Sequence, residues 1–330
     1  MTIDHILSLW GSLRFKSVAS QLLQYSDPVP TRIPTIAFGI VAAALLWWYY
    51  ALINGLVQRP QAAALDAPQS EVADLSRSIG AVWSAVSVTA TDGSVLRGWL
   101  LQPERPNGKA VVLLHKLGGT RISLLPIARR LLAYDYTCLL PDSRGHGSSG
   151  GQALTHGAME KYDLAEWVRR LRKDPGITAV YGLGRSLGAS ILIQSLTVPV
   201  DFHAIVAEST SPDLAHPYDY LADRFGLPLL IAGPVSWPFV EGFWWNARLR
   251  FGVRLDQASP LDAIRQSRTP VLLIHGSSDW LVPAAQTRRL REANPRYTTL
   301  WEVPGANHWN IEQVAIADYE RRVIEWFAAH

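Results

Sequence analysis

From Lys109 onward the chain alternates short, unbroken apolar runs with longer stretches of helical spacing. "KAVVLLH" is followed by "RISLLPIARRLLAYD", "YTCLLPD" by "EKYDLAEWVRRLRKD", and then comes "ITAVYGLG". A brief apolar run without polar alternation suits a strand covered on both faces. Strands alternating with helices predict an α/β fold: an open, mostly parallel sheet flanked by helices. The pattern continues through "SILIQSL", "HAIVAES", "TPVLLIHG", "AAQTRRLREA", "TTLWEVPG" and a terminal helix "IEQVAIADYERRVIEWFAA". Ahead of it, "SAVSVTATDGSVLRGWLLQP" alternates apolar and polar residues about Asp92-Gly93, which predicts a tight hairpin.

One interval breaks the rhythm. Between Glu208 and Thr269 the chain is rich in proline and aromatics and has no evident strand. This predicts a helical cap inserted at about residues 209–268 of a domain spanning 81–330.

The N-terminal part differs in kind. No charged residue occurs from Ile33 to Val57, a length sufficient for a bilayer-spanning helix of about 20 apolar residues. Trp47, Trp48, Tyr49 and Tyr50 would form its aromatic belt. A buried helix or a cleaved signal are the competing readings, and the late start argues against a signal. Residues 33–57 are therefore expected to be a single membrane anchor. Residues 1–32 place Ile6, Leu9, Leu13, Val18 and Leu22 near helical spacing, as an interfacial amphipathic segment or a tail would. Residues 58–80, rich in Ala, Pro and Gln, are expected to be a linker. Arg14, Lys16 and Arg32 precede the span and Arg59 and Arg77 follow it, a slight lean toward an inside N-terminus. With a net charge of only +3 and no basic cluster interleaved with aromatics, nothing suggests nucleic-acid binding. The single cysteine, Cys138, sits in an apolar run and is expected in the core.

Ser186 ends the strand "ITAVYGL" and begins the helix "LGASILIQSL" within Gly184-Arg185-Ser186-Leu187-Gly188, a G-x-S-x-G pattern. Small flanking residues allow a sharp turn that exposes a nucleophilic hydroxyl at the carboxyl edge of a parallel sheet, where ligands gather. Such a serine needs a histidine as base and a carboxylate to orient it. Asp279 lies just past one strand and His308 just past the next, so both fall on the edge that carries Ser186. Glu208, ending "AIVAE", is the alternative acid. Asp142 and Arg144, in "PDSRGHG", are expected to fix a loop by an ion pair.

These motifs, with "LLPDSRGHGSSGG", "ASPLDAI" and "HGSSDWLVP", resemble the α/β-hydrolase superfamily over residues 85–330. The similarity is strongest to its serine hydrolases of the Bem46-like and serine-aminopeptidase-like group. The resemblance implies an α/β-hydrolase fold and a Ser186–His308–Asp279 triad. It also implies an oxyanion hole from the backbone N–H groups of Leu187 and Leu117, and no metal or organic cofactor. At the second donor the chain departs from the usual His-Gly: Lys116 follows His115 and lacks glycine's freedom to take a positive φ. The expected activity is hydrolysis of a carboxylic ester or thioester, and the expected partner is a small-molecule acyl substrate, a lipid-like one included. A peptidase, an acyltransferase on the same residues, or a non-catalytic membrane-tethered interaction protein are the alternatives. Leu229, Leu230, Ile231, Trp237, Phe239, Phe243, Trp244 and Trp245 in the insertion are candidates for contact with an acyl chain.

Overall fold

The structure is a computed structural model that describes residues 69–330, except 152, 211–212, 214–216 and 227. The segment 1–32, the stretch 33–57 and residues 58–68 of the linker lie outside the described residues. Among the described residues no helix is long and apolar enough to cross a membrane.

Eight strands form one sheet in the order β1-β2-β4-β3-β5-β6-β7-β8. They are β1 (Val82–Thr89), β2 (Val95–Gln102), β3 (Lys109–Leu114), β4 (Thr137–Pro141), β5 (Ala179–Arg185), β6 (Ile205–Glu208), β7 (Val271–Gly276) and β8 (Thr298–Val303). The hairpin of β1 and β2 is antiparallel and turns through Gly93 at φ 82°. β2 also runs antiparallel to β4, and the remaining pairs are parallel.

The unbroken apolar runs are explained by burial on both sides. In β3, Val111 and Leu113 pack into a layer with Leu131, Tyr181 and Phe327. Ala110, Val112 and Leu114 point the other way, toward Leu164, Trp167 and Ile191. The first layer is closed by α1 (Gln69–Ile79), α2 (Leu125–Ala133) and the terminal helix; the second by α3 (Glu160–Leu171) and α4 (Leu187–Ser195). Cys138 is fully buried in the first layer, as expected.

Three expectations change. Residues 69–79 of the linker are helix: Val72, wholly buried, and Leu75 and Ile79 recur at helical spacing and pack on the core. The insertion is helical, with α5 (Pro217–Phe225) and α6 (Leu229–Phe251), but it ends earlier than expected. The following helix, α7 (Pro260–Gln266), buries Ala263 and Ile264 in the second core layer and so belongs to the hydrolase body. After α8 (Ala284–Ala293) and β8, the terminal helix is two pieces, α9 (Ile311–Val314) and α10 (Ile316–Ala329). They break at Ala315, which adopts φ −136° and ψ 46°.

Candidate active site

The chain moves from β3 to β4 on one side and returns to β5 on the other, so a crevice opens where β3 and β5 end. Ser186 stands at that opening with φ 51° and ψ −112°, a backbone conformation costly for a residue with a β-carbon. Its N–H donates to the Glu208 carbonyl at 2.8 Å. The two glycines of the motif are needed for contact. A β-carbon on Gly184 would lie 2.4 Å from the Gly188 oxygen, and one on Gly188 would lie 2.4 Å from the Leu114 oxygen. Helix α4 can therefore start directly against the end of β3.

Asp279 and His308 are carried by the loops after β7 and β8, and these loops are laced together. Ser277 N–H donates to the Val303 carbonyl at 3.0 Å and Ser278 N–H to the Ala306 carbonyl at 2.9 Å. Asp279 Oδ2 lies 2.7 Å from His308 Nδ1, and His308 Nε2 lies 3.0 Å from Ser186 Oγ. Asp279 Oδ1 accepts the N–H groups of Leu281 at 3.0 Å and Val282 at 2.8 Å, which holds the carboxylate plane. Because the carboxylate only accepts, Nδ1 of His308 carries the proton and Nε2 presents its lone pair to the serine hydroxyl.

Beneath them lies His275. Its Nε2 donates to the Val282 carbonyl at 2.9 Å and stands 3.3 Å from Asp279 Oδ2, while Thr287 Oγ1 donates to Nδ1 at 2.7 Å. Burial, partly opposed by the Val282 bond and the Asp279 charge, lowers its pKa and keeps it neutral. It braces the loop that carries Asp279 from behind.

Glu208 is placed elsewhere. Its carboxylate accepts from Arg185 Nε at 3.2 Å and from the Tyr319 hydroxyl at 2.6 Å. Arg185 also pairs with Glu312, which pairs in turn with Arg130. The geometry joins His308 to Asp279 and ties Glu208 into this ion-pair chain under the cleft.

The loop after β3 is set by two buried histidines, His115 and His146. His115 Nε2 accepts the Ser143 N–H at 3.0 Å, so its Nδ1 donates to the Lys116 carbonyl at 2.8 Å. His146 Nε2 accepts the Gly118 N–H at 3.3 Å. The Lys116 carbonyl is thus drawn inward, and in a trans peptide the Leu117 N–H points the opposite way. The positive φ that Lys116 cannot easily take is taken by Gly118, at φ 67°. The Lys116 side chain is exposed and lines a cleft of about 210 Å³ together with Arg185, Ser186, Glu208, His308 and Trp309.

Asp142 and Arg144 do not pair with each other as expected. Asp142 accepts the Arg121 N–H at 2.8 Å and pairs with its guanidinium at 3.3 Å. Arg144 forks onto Asp163, with both bonds at 2.6 Å, and reaches Asp92 at 2.8 Å. Each carboxylate is nearer in space to a cation distant in sequence. In the cap, Phe243 and Trp244 pack with Ala247, Val253 and Leu255, whereas Trp237 and Trp245 are exposed. The side chains of Leu229, Leu230, Ile231 and Phe239 are not among those described. No group of three or more His, Cys, Asp or Glu among the described residues is arranged to hold a metal ion.

A mostly parallel sheet, a serine at a strained strand–helix turn and a histidine in the last loop before the terminal helices define the α/β-hydrolase class of fold. Residues 111–321 match the model of the alpha/beta hydrolase family, and the chain belongs to that family. It is similar to the uncharacterized protein YqkD of Bacillus subtilis, 26% identical over 68% of this chain and 72% of that one. It is also similar to the uncharacterized protein Rv2307c of Mycobacterium tuberculosis, 27% identical over 84% and 88% of the two chains. Among solved structures, the Pyrococcus furiosus esterase Pf2001 aligns with a TM-score of 0.62 at 25% identity, covering 77% of this chain and 93% of that one.

Proposed function

We propose that this hydrolase cleaves a carboxylic ester or thioester through an acyl-enzyme on Ser186. The observation that carries this reading is the hydrogen-bonded series Ser186 Oγ–His308–Asp279, with spacings of 3.0 and 2.7 Å, opening on the cleft. His308 Nε2 takes the hydroxyl proton as Oγ attacks the carbonyl carbon. The proton then passes to the departing alcohol or thiol as its bond to carbon breaks. Water, deprotonated by the same nitrogen, releases the acid. The carbonyl oxygen, negative in the transition state, faces the N–H groups of Leu187 and Leu117; one such donor contributes about 3–4 kcal/mol. The first turn of α4 leaves the Leu187 N–H without a helical partner, which makes it available. The esterase Pf2001 supports an ester as substrate by likeness of structure and sequence.

The uncharged stretch 33–57 supports a single membrane anchor for this domain. The anchored protein is expected to pellet with membranes and resist carbonate extraction; recovery in the soluble fraction would refute the anchor. The chemistry is tested with a fluorophosphonate probe and a short aryl ester. Wild type is expected to be labelled and to hydrolyse the ester. Ser186→Ala and His308→Ala should each lose several orders of magnitude in turnover, with little further loss when combined. Persistence of most activity in Ser186→Ala would displace Ser186 as nucleophile.

A further inference from the structure

Each of the two residues that serve the nucleophile is followed directly by a tryptophan. Trp280 succeeds Asp279 and Trp309 succeeds His308, and both remain exposed, at 57% and 47%. Their rings meet edge to face, with centroids 5.6 Å apart at 61°. The Trp309 ring also stands 5.5 Å from the His308 ring at 79° and lines the cleft that contains Ser186. Arg224, at the end of cap helix α5, holds its guanidinium 5.8 Å over Trp280. A lone exposed apolar side chain needs no explanation. Two tryptophans in contact, stacked outward from the base, form an apolar wall on one side of the site.

Which half of an ester meets this wall follows from proton transfer. The group that departs must have its oxygen within about 2.6–3.2 Å of His308 Nε2 to receive the proton. The carbonyl oxygen meanwhile turns toward the Leu187 and Leu117 amides, on the β3 and α4 side. The substituent on the departing oxygen therefore leaves past His308, where the next side chain is Trp309 and the one behind it Trp280.

We propose that Trp309 and Trp280 are a leaving-group subsite, and that the substrate is an ester whose alcohol half carries an apolar chain or ring. This rests on the reading of Ser186 as nucleophile and His308 as base. Selectivity from the pair acts only while the alcohol is attached. When the C–O bond to the alcohol has broken and the C–Oγ bond has formed, the tryptophans no longer touch what remains to be hydrolysed.

The test uses two series on the full-length protein. One holds the acyl group as acetyl and lengthens the alcohol from ethyl to hexyl; the other holds the alcohol as ethyl and lengthens the acyl group from acetyl to hexanoyl. Alkyl alcohols in this range have similar leaving ability, so the first series reports binding. For wild type, kcat/KM should rise with alcohol length by roughly twofold to fourfold per methylene, the upper limit being complete burial. Trp280→Ala combined with Trp309→Ala should flatten that rise, while the acyl series changes only by one common factor that leaves its dependence on acyl length as in wild type. Trp309→Phe should keep part of the slope. A slope that survives both alanines, or a loss confined to the acyl series, overturns the subsite. Ser186→Ala measured in parallel separates the two readings: retained activity there removes the nucleophile, while the wild-type alcohol slope and its response to the tryptophan variants still decide the subsite.

Discussion

Gly188 Cα faces the carbonyl oxygen of Leu114 so closely that a β-carbon on the glycine would stand 2.4 Å away. Both atoms belong to backbone, and neither can rotate aside. Gly188→Ala should therefore push α4 off the end of β3, costing about 1–3 kcal/mol as overpacking does. It should also separate the Leu187 N–H from the Leu117 loop. Thermal unfolding and turnover measured together check this; a variant with wild-type Tm and turnover would show that the contact has room to relax.

Ser186 holds φ 51° with a side chain attached. Glycine has no such penalty, and backbone strain of this kind is of order 1–3 kcal/mol. Ser186→Gly is expected to abolish turnover and yet unfold later than wild type. A lower Tm would mean that the hydroxyl's bond to His308 outweighs the strain.

Asp279 satisfies two backbone N–H groups with one oxygen and His308 with the other. In Asp279→Asn the amide oxygen must keep the backbone donors, so the NH₂ faces Nδ1 and the wrong tautomer of His308 is favoured. Turnover should fall by about 10⁴ with the fold intact. Glu208→Gln, which loosens Arg185 and Tyr319 without touching His308, should reduce turnover far less. If Glu208→Gln is the more damaging change, the acid must be reassigned.

His115 is wholly buried, and that burial together with the nearby His146 and Arg121 charges pushes its pKa down to about 4, against the Lys116 bond and Asp142. Its unfolded counterpart titrates near 6.5. Between these values the unfolded chain binds the extra proton and the folded chain does not. Stability that is complete above pH 6.5 is thus lost progressively as pH falls toward 4. His115→Gln should flatten this acid limb in denaturant titrations at several pH values. An unchanged limb would assign the acid sensitivity to other groups.

Arg144 and Asp163 form a buried fork. Removing one partner of such a pair costs about 3–5 kcal/mol, because a charge stays buried alone. Arg144→Met should show this loss in urea unfolding, and Arg144→Met with Asp163→Leu should recover part of it. Equal losses in the single and double variants would show that the guanidinium's other bond, to Asp92, dominates.

Much of the fold was legible because burial on both faces writes itself into composition: β3, β5 and β7 have almost no polar residue to misplace. The loops that converge were legible for a related reason, since Ser186, Asp279 and His308 each follow a strand of one parallel sheet. What escaped the sequence was pairing in space. Asp142 and Arg144 are near neighbours in the chain, yet their partners are Arg121 and Asp163, brought in by separate elements. Val72, Leu75 and Ile79 were hidden in a stretch whose Ala and Pro content suggested a linker. Trp280 and Trp309 were visible beside Asp279 and His308, but only the folded loops place their rings together.

Cap helix α5 is fastened to the loop that carries Asp279. The Tyr220 hydroxyl donates to the Leu281 carbonyl at 3.1 Å, one residue along from an N–H that holds Asp279. Asp219 and Asp223 pair with Arg289 on α8 at 3.2 Å. The cap is thus not an interchangeable module laid over a finished catalyst. A chimera that takes the helices between Pro217 and Phe251 from another hydrolase would inherit their selectivity but lose the Tyr220 tether. Such a graft should show a changed pH–rate profile even toward a small ester that the new cap does not touch, and restoring a tyrosine at that position should bring the profile back. An unaltered profile in the untethered graft would show that the Asp279 loop is held without the cap.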